Sequence, residues 1–169
     1  MSCGKVILVP IGGIAGGRHP CMLQTLLGSC VGMIVQDLRR QIAVLAHVVR
    51  PHGNGAGMGP GYFANLAAPR ARDLAIQSGA GPGELLVRIA GGGRMLDGVG
   101  DIGEQNVKAI TEATYALGMT FGGRLRGATD GGCLVAVDAG SGRALVRGIG
   151  EGVLDEAAWS RLRSDLEDE

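Results

Sequence analysis

At 169 residues, with 16 basic and 16 acidic side chains, the chain is long enough to bury a real core and carries no net field that would draw it to nucleic acid or an anionic membrane. Its 32 glycines follow no period and are interrupted by apolar runs, which excludes collagen-like and low-complexity chains. With two Phe, two Tyr and one Trp the core must be aliphatic, and no apolar run approaches the ~20 residues of a membrane helix.

The opening "MSCGKVILVPIGG" has a short apolar stretch cut by Pro10 and so lacks the form of a signal peptide. Within it, "KVILVPI" is predicted as a first strand. "CMLQTLL" is a second, and "GSC" is a tight corner after it. "VGMIVQ" (31–36) and "QIAVLAHVV" (41–49) flank the polar "DLRR" and predict a β-hairpin. "RPHGNGAGMGPG" (50–61) is a loop of the length that is often functional. A helix is expected from near Asn65 to Ser78, with Pro69 in or near its first turn and Gly79 just past its end. "ELLVRIAGGG" is a buried strand running into a glycine turn. In "DIGEQNVKAITEATYALG", Asp101 and Glu104 form a capping-box pattern. Val107, Ile110 and Leu117 share one face of that helix, and Gly118 closes it. "CLVAVDAGSGRALVRGI" predicts a second hairpin, and 150–169 a last helix with Leu154, Ala158, Leu162 and Leu166 in line. Strands that pair as hairpins and alternate with helices imply one α+β domain over 1–169, with mixed or antiparallel β-sheets layered against helices.

Four cysteines, Cys3, Cys21, Cys30 and Cys133, show no C-x-x-C pair. They are expected as free thiols in a reducing cytoplasm. His19, Cys21, Cys3 and His52 lack the spacing of a structural zinc site, so no metal is expected. "GVGDIG" (98–103) matches a dinucleotide fingerprint in letters, but no strand immediately precedes it, and a nucleotide site is set aside. No pair of carboxylates sits in an apolar strand, so acid–base carboxylate chemistry has no candidate.

Cys30 and His47 stand equidistant from the Leu38–Arg39 bond. If the hairpin pairs symmetrically about that bond, the two residues face each other, with Cβ atoms roughly 4.5–5.5 Å apart. An imidazole at that range lowers a thiol's pKa and yields the nucleophilic thiolate. Gly28 and Ser29 suit a corner whose backbone N–H groups could hold an oxyanion. Hairpin geometry alone leaves this reading level with the duller one, in which Cys30 is core and His47 bonds a carbonyl.

"TLLGSCV" (25–31) and "AHVVRP" (46–51), with "RIAGGGRML", "IGEQNV" and "GSGRALVRGI" following in order, resemble the chemoreceptor glutamine deamidases, the CheD family. The resemblance implies the fold of the cytotoxic-necrotizing-factor deamidase domain and a cysteine–histidine–threonine triad, mapping onto Cys30, His47 and Thr25. It implies conversion of chemoreceptor glutamines to glutamate without metal or organic cofactor. The partners it implies are the cytoplasmic helices of receptors and a CheC-like phosphatase. Relatives place the threonine five or six residues before the cysteine, which here gives Thr25 or Gln24. Thr25 is preferred for its hydroxyl and its fixed rotamer in a strand. Two alternatives remain: a cysteine amidase or esterase of the same fold, and a non-catalytic adaptor.

Overall fold

The computed structural model describes residues 4–92, 101–125 and 132–148. Cys3, the first half of "GVGDIG" (98–100) and the helix expected over 150–169 lie outside these. In chain order the elements are β1 (Lys5–Leu8), β2 (Ile14–Arg18), β3 (Cys21–Leu27), β4 (Val31–Asp37), β5 (Ile42–Val48), α1 (Ala64–Gln77), β6 (Leu86–Gly91), α2 (Ile102–Ala116), β7 (Thr120–Arg124), β8 (Cys133–Asp138) and β9 (Ala144–Gly148). They form a four-stranded sheet, β1-β3-β8-β9, and a five-stranded sheet, β2-β5-β4-β6-β7. Both are mixed: β1–β3 and β6–β7 pair parallel, and the other pairs are antiparallel. The α+β expectation holds.

Strand alternation builds three layers. Val31, Met33 and Val35 of β4 and Val44, Ala46 and Val48 of β5 pack against the alanine face of α1 and against Ile110 of α2. Residues of opposite parity, Ile34, Ala43 and Leu45, meet Leu23, Leu27, Val135 and Val137 of the other sheet. The central strands are thus buried on both faces, which is why they read as unbroken apolar runs. The two sheets are also tied by polar contacts. Gln36 Nε2 donates to the Gly142 carbonyl in the β8–β9 turn at 3.0 Å, and Arg88 reaches the same carbonyl.

The predicted hairpins form, and the two helices fall within a residue or two of their expected ends. Three points differ. Pro69 lies in the second turn of α1 rather than the first, so the Asn65 carbonyl loses its helical donor. Two strands carry no sequence signal because each contains a Gly-Gly step, "IAGGR" in β2 and "TFGGR" in β7. In β2 the glycine serves close approach: a Cβ on Gly16 would come within 2.6 Å of Val44 Cγ2 and 2.8 Å of the Ala43 carbonyl oxygen.

The third difference is the register of β4 and β5. Observed pairs run from Asp37↔Ile42 to Val31↔Val48, so His47 faces Gly32, not Cys30. The shift comes from the turn. Asp37 remains in the strand because its carboxylate is an anchor: Oδ1 accepts from the Arg40 backbone N–H at 3.0 Å, and Oδ2 accepts from Arg40 Nη1 at 3.0 Å and from the Gly81 N–H at 2.9 Å. Gln41 takes a left-handed conformation, φ 57, to close a four-residue loop, 38–41. The symmetry point moves one bond along, and every pairing moves by two. An even shift keeps each side chain on its face.

Burial alone would push the Asp37 carboxyl up, but the hydrogen bonds from Gly81 and Arg40 outweigh it and hold the pKa below the ordinary value. Asp37→Ala is expected to lower unfolding free energy by about 1–3 kcal/mol, because the buried carboxylate's hydrogen bonds from Gly81 and Arg40 are lost. The folded pKa is depressed, so this contribution is complete above pH ~4, the unfolded value, and fades as pH falls through the folded one. Urea melts at pH 7 and pH 3 should therefore show a gap between wild type and variant that narrows in acid.

Candidate active site

The inward positions of β3 are Leu23, Thr25 and Leu27; Gln24 points to the opposite face, where its Nε2 donates to Met22 Sδ at 3.4 Å. His47 lies on the face of β5 that carries Ala43 and Leu45, so Thr25 and His47 approach each other from the two sheets. They meet at 2.8 Å, Thr25 Oγ1 to His47 Nδ1, with His47 2% and Thr25 3% exposed.

The protons on this bond can be assigned. Thr25 Oγ1 lies 2.8 Å from the Val9 carbonyl oxygen, which can only accept, so the single hydroxyl proton goes there. Oγ1 must then accept from His47, which puts the ring proton on Nδ1. In a neutral imidazole Nε2 is left as a bare lone pair, and Nε2 is buried with no hydrogen-bond partner among the described residues. Burial also lowers the His47 pKa, favouring that neutral form. The ring is held from its main chain too: the Gly12 N–H donates to the His47 carbonyl at 3.1 Å, and the His47 N–H donates to the Gly13 carbonyl at 3.0 Å. The arrangement is that of an oriented general base.

Gly28, Ser29 and Cys30 form the partly exposed corner where the chain leaves β3 and enters β4, crossing from one sheet to the other. Cys30 packs against the same inter-sheet cluster as Leu27 and Leu45, at the end where His47 sits, one residue before the Val31↔Val48 pair. The expected opposition of Cys30 and His47 is therefore not found. Nor does the imidazole lower the thiol: burial pushes the Cys30 pKa up. Thiol and imidazole rest as a neutral pair without a hydrogen bond, an arrangement that can tighten when substrate is present. A cleft of about 400 Å³ opens over Thr25 and His47, lined by Leu8, Val9, Pro10, Ile11, Gln24 and Leu26. Among the described residues, no three of His, Cys, Asp and Glu gather as a metal site.

Sequence reasoning missed the Val9 carbonyl, which decides the imidazole tautomer. Being main chain, it leaves no residue-type signal; only the strand pairing that brings β1 beside β3 reveals it.

Of the described thiols Cys21 and Cys133 are buried and Cys30 is partly exposed. Brief iodoacetamide treatment should label Cys30 ahead of those two. Because its pKa is raised, the labelling rate should still be climbing at pH 9. A plateau below pH 8 would mean a thiolate–imidazolium pair already present at rest.

A family model described as CheD chemotactic sensory transduction matches residues 49–147. A probable chemoreceptor glutamine deamidase CheD of Methanococcus maripaludis is 32% identical over 146 residues, covering 84% of this chain and 94% of the relative. The chemoreceptor glutamine deamidase CheD of Thermotoga maritima is 31% identical over 153 residues, covering 86% and 93%. A probable chemoreceptor glutamine deamidase CheD of Rhodospirillum rubrum is 32% identical over 151 residues, covering 88% and 84%. Likeness of this extent, reaching most of both chains on a fold of the expected class, shows that the chain belongs to the CheD family.

Proposed function

We propose that this chain is a chemoreceptor glutamine deamidase, converting glutamine side chains of receptors to glutamate with Cys30 as nucleophile, His47 as base and Thr25 as the group that orients it. The observation that carries this reading is the Thr25–His47 bond, which leaves Nε2 as a bare, buried base at the end of the inter-sheet core where Cys30 lies. Most buried ring nitrogens are hydrogen-bonded, and one left bare calls for an explanation, which a base poised for substrate supplies.

The reaction follows from these positions. His47 Nε2 takes the Cys30 proton as sulfur attacks the carboxamide carbon, and backbone N–H groups of the Gly28–Cys30 corner are the candidates to hold the oxyanion. The imidazolium returns the proton to the departing nitrogen, releasing ammonia and leaving a thioester. Water, deprotonated by the same Nε2, then attacks the thioester; sulfur leaves, recovers the proton, and glutamate remains. No step calls for a metal or an organic cofactor. The substrate would be the helical cytoplasmic part of a receptor and the place of action the cytoplasm, with a CheC-like phosphatase as a second partner. No described helix is long and apolar enough to cross a membrane.

Deamidation of a receptor cytoplasmic fragment, read as ammonia release and by mass spectrometry, should vanish in Cys30→Ala and His47→Ala. It should fall roughly 10²-fold in Thr25→Ala, the low end for disturbing a general base, and stay near wild type in Gln24→Ala, whose side chain lies on the opposite face. The His47 pKa is depressed, so kcat/KM should hold down to pH ~6.5, the ordinary imidazole value, and fall only below it. Full activity in Cys30→Ala would end the reading.

A further inference from the structure

The position of Cys30 depends on two strand ends and on the helix that touches both. The Gly92 N–H donates to the Cys30 carbonyl at 3.1 Å, so the end of β6 holds the residue from one side. On the other side lies the end of β5, where Asn106 Nδ2 of α2 donates to the Val49 carbonyl at 3.0 Å. The first turn of α2 sits directly on the β6 end: a Cβ on Gly103 would lie 2.4 Å from the Gly92 carbonyl oxygen, so only glycine fits.

One side chain locks this junction. Arg124 donates from Nε and Nη2 to the Gly91 carbonyl at 3.3 and 2.9 Å, and from Nη2 to the Gly92 carbonyl at 3.3 Å. Its Nη1 meets Glu104 Oε1 of α2 at 2.7 Å. All three guanidinium nitrogens are thus committed, two to the β6 end and one to the helix. Most of this is arranged by an irregularity in β7. That strand carries one residue more than β6 between the Val87↔Phe121 and Ile89↔Arg124 pairs. Gly123, at φ 93, takes a conformation that side chains resist, and the bulge brings Arg124 level with Ile89, within reach of Gly91 and Gly92. Bulges beside active sites commonly re-aim a side chain in this way.

Resting on the reading of Cys30 as the nucleophile, we propose that Arg124 is a positioning residue, which clamps the Gly91–Gly92 turn so that the turn holds the Cys30 backbone at its place relative to His47. It acts through the turn and not on substrate. Losing it leaves the fold and the Thr25–His47 bond in place but frees the Gly92 contact that steadies the Cys30 main chain.

The test compares Arg124→Ala and Arg124→Lys with wild type in the full chain, measuring kcat and KM for a receptor fragment, the alkylation rate of Cys30, and the response to added guanidinium chloride well below denaturing concentration. Arg124→Ala should lose about tenfold or more in kcat, the scale of a small displacement of a reacting group, with KM nearly unchanged. Its Cys30 alkylation rate should change, and guanidinium should restore part of kcat. Arg124→Lys should fall between the two, since one ammonium cannot span both carbonyls and Glu104, and it also serves if the alanine variant does not fold. A wild-type kcat in Arg124→Ala, or a loss that appears in KM while Cys30 alkylation is unaltered, overturns the proposal. Cys30→Ala in the same assay separates the two failures: if it retains activity, the reading of the nucleophile has failed, and if it is inactive while Arg124→Ala is wild type, only the clamp has.

Discussion

A single hydroxyl proton governs the site. Thr25 has one to give, and the Val9 carbonyl can only accept, so the hydroxyl oxygen must accept from His47 Nδ1. Everything that makes the histidine a base follows from that constraint: the tautomer, the ring orientation and the bare Nε2. The fold can be viewed as the means of keeping these three groups in line. Val9 follows directly on β1, Thr25 lies in β3 and His47 in β5; β1 and β3 belong to one sheet and β5 to the other. Sheet-on-sheet packing therefore sets the active geometry, and the apolar contacts of Leu23, Leu27, Leu45 and Val135 between the sheets are as necessary to it as the polar atoms themselves.

Burial gives the resting site its second property. It raises the Cys30 thiol and lowers the His47 imidazole, so neither group is charged before substrate arrives. Separating charge between two partly desolvated groups is costly unless hydrogen bonds compensate for the lost water. A neutral thiol also resists oxidation and alkylation better than a thiolate. In the proposed reaction the proton moves as the sulfur–carbon bond forms, so the developing charge passes to the carbonyl oxygen instead of resting on sulfur.

Much of this was legible in the sequence, for reasons that differ from residue to residue. The β4–β5 hairpin follows from two doubly buried apolar runs around "DLRR", and α2 from its Asp101 cap, whose carboxylate accepts from the Glu104 N–H at 3.3 Å. The register was not legible, because it is set by Asp37 accepting from both Arg40 and Gly81 and by Gln41 adopting a positive φ. Neither is a property of apolar patterning. β2 and β7 were hidden by glycines placed there for close approach and for a bulge, roles that composition cannot tell from those of a loop. Thr25 came from likeness to a family, whereas the reason it must be Thr25 and not Gln24 is physical: alternation along β3 sends the two to opposite faces. The hydroxyl's own partner, a main-chain oxygen, became visible only in three dimensions.

The most direct measurement is of the imidazole itself. Two-bond proton–nitrogen correlation spectra of the ¹⁵N-histidine-labelled protein distinguish the two neutral tautomers and the imidazolium. At pH 7 His47 should be neutral, with its proton on Nδ1 and Nε2 bare, and Thr25→Val, which keeps the shape but removes the acceptor, should disturb that assignment. A proton on Nε2, or an imidazolium at pH 7, would contradict the account, for Thr25 would then not be orienting a base toward Cys30.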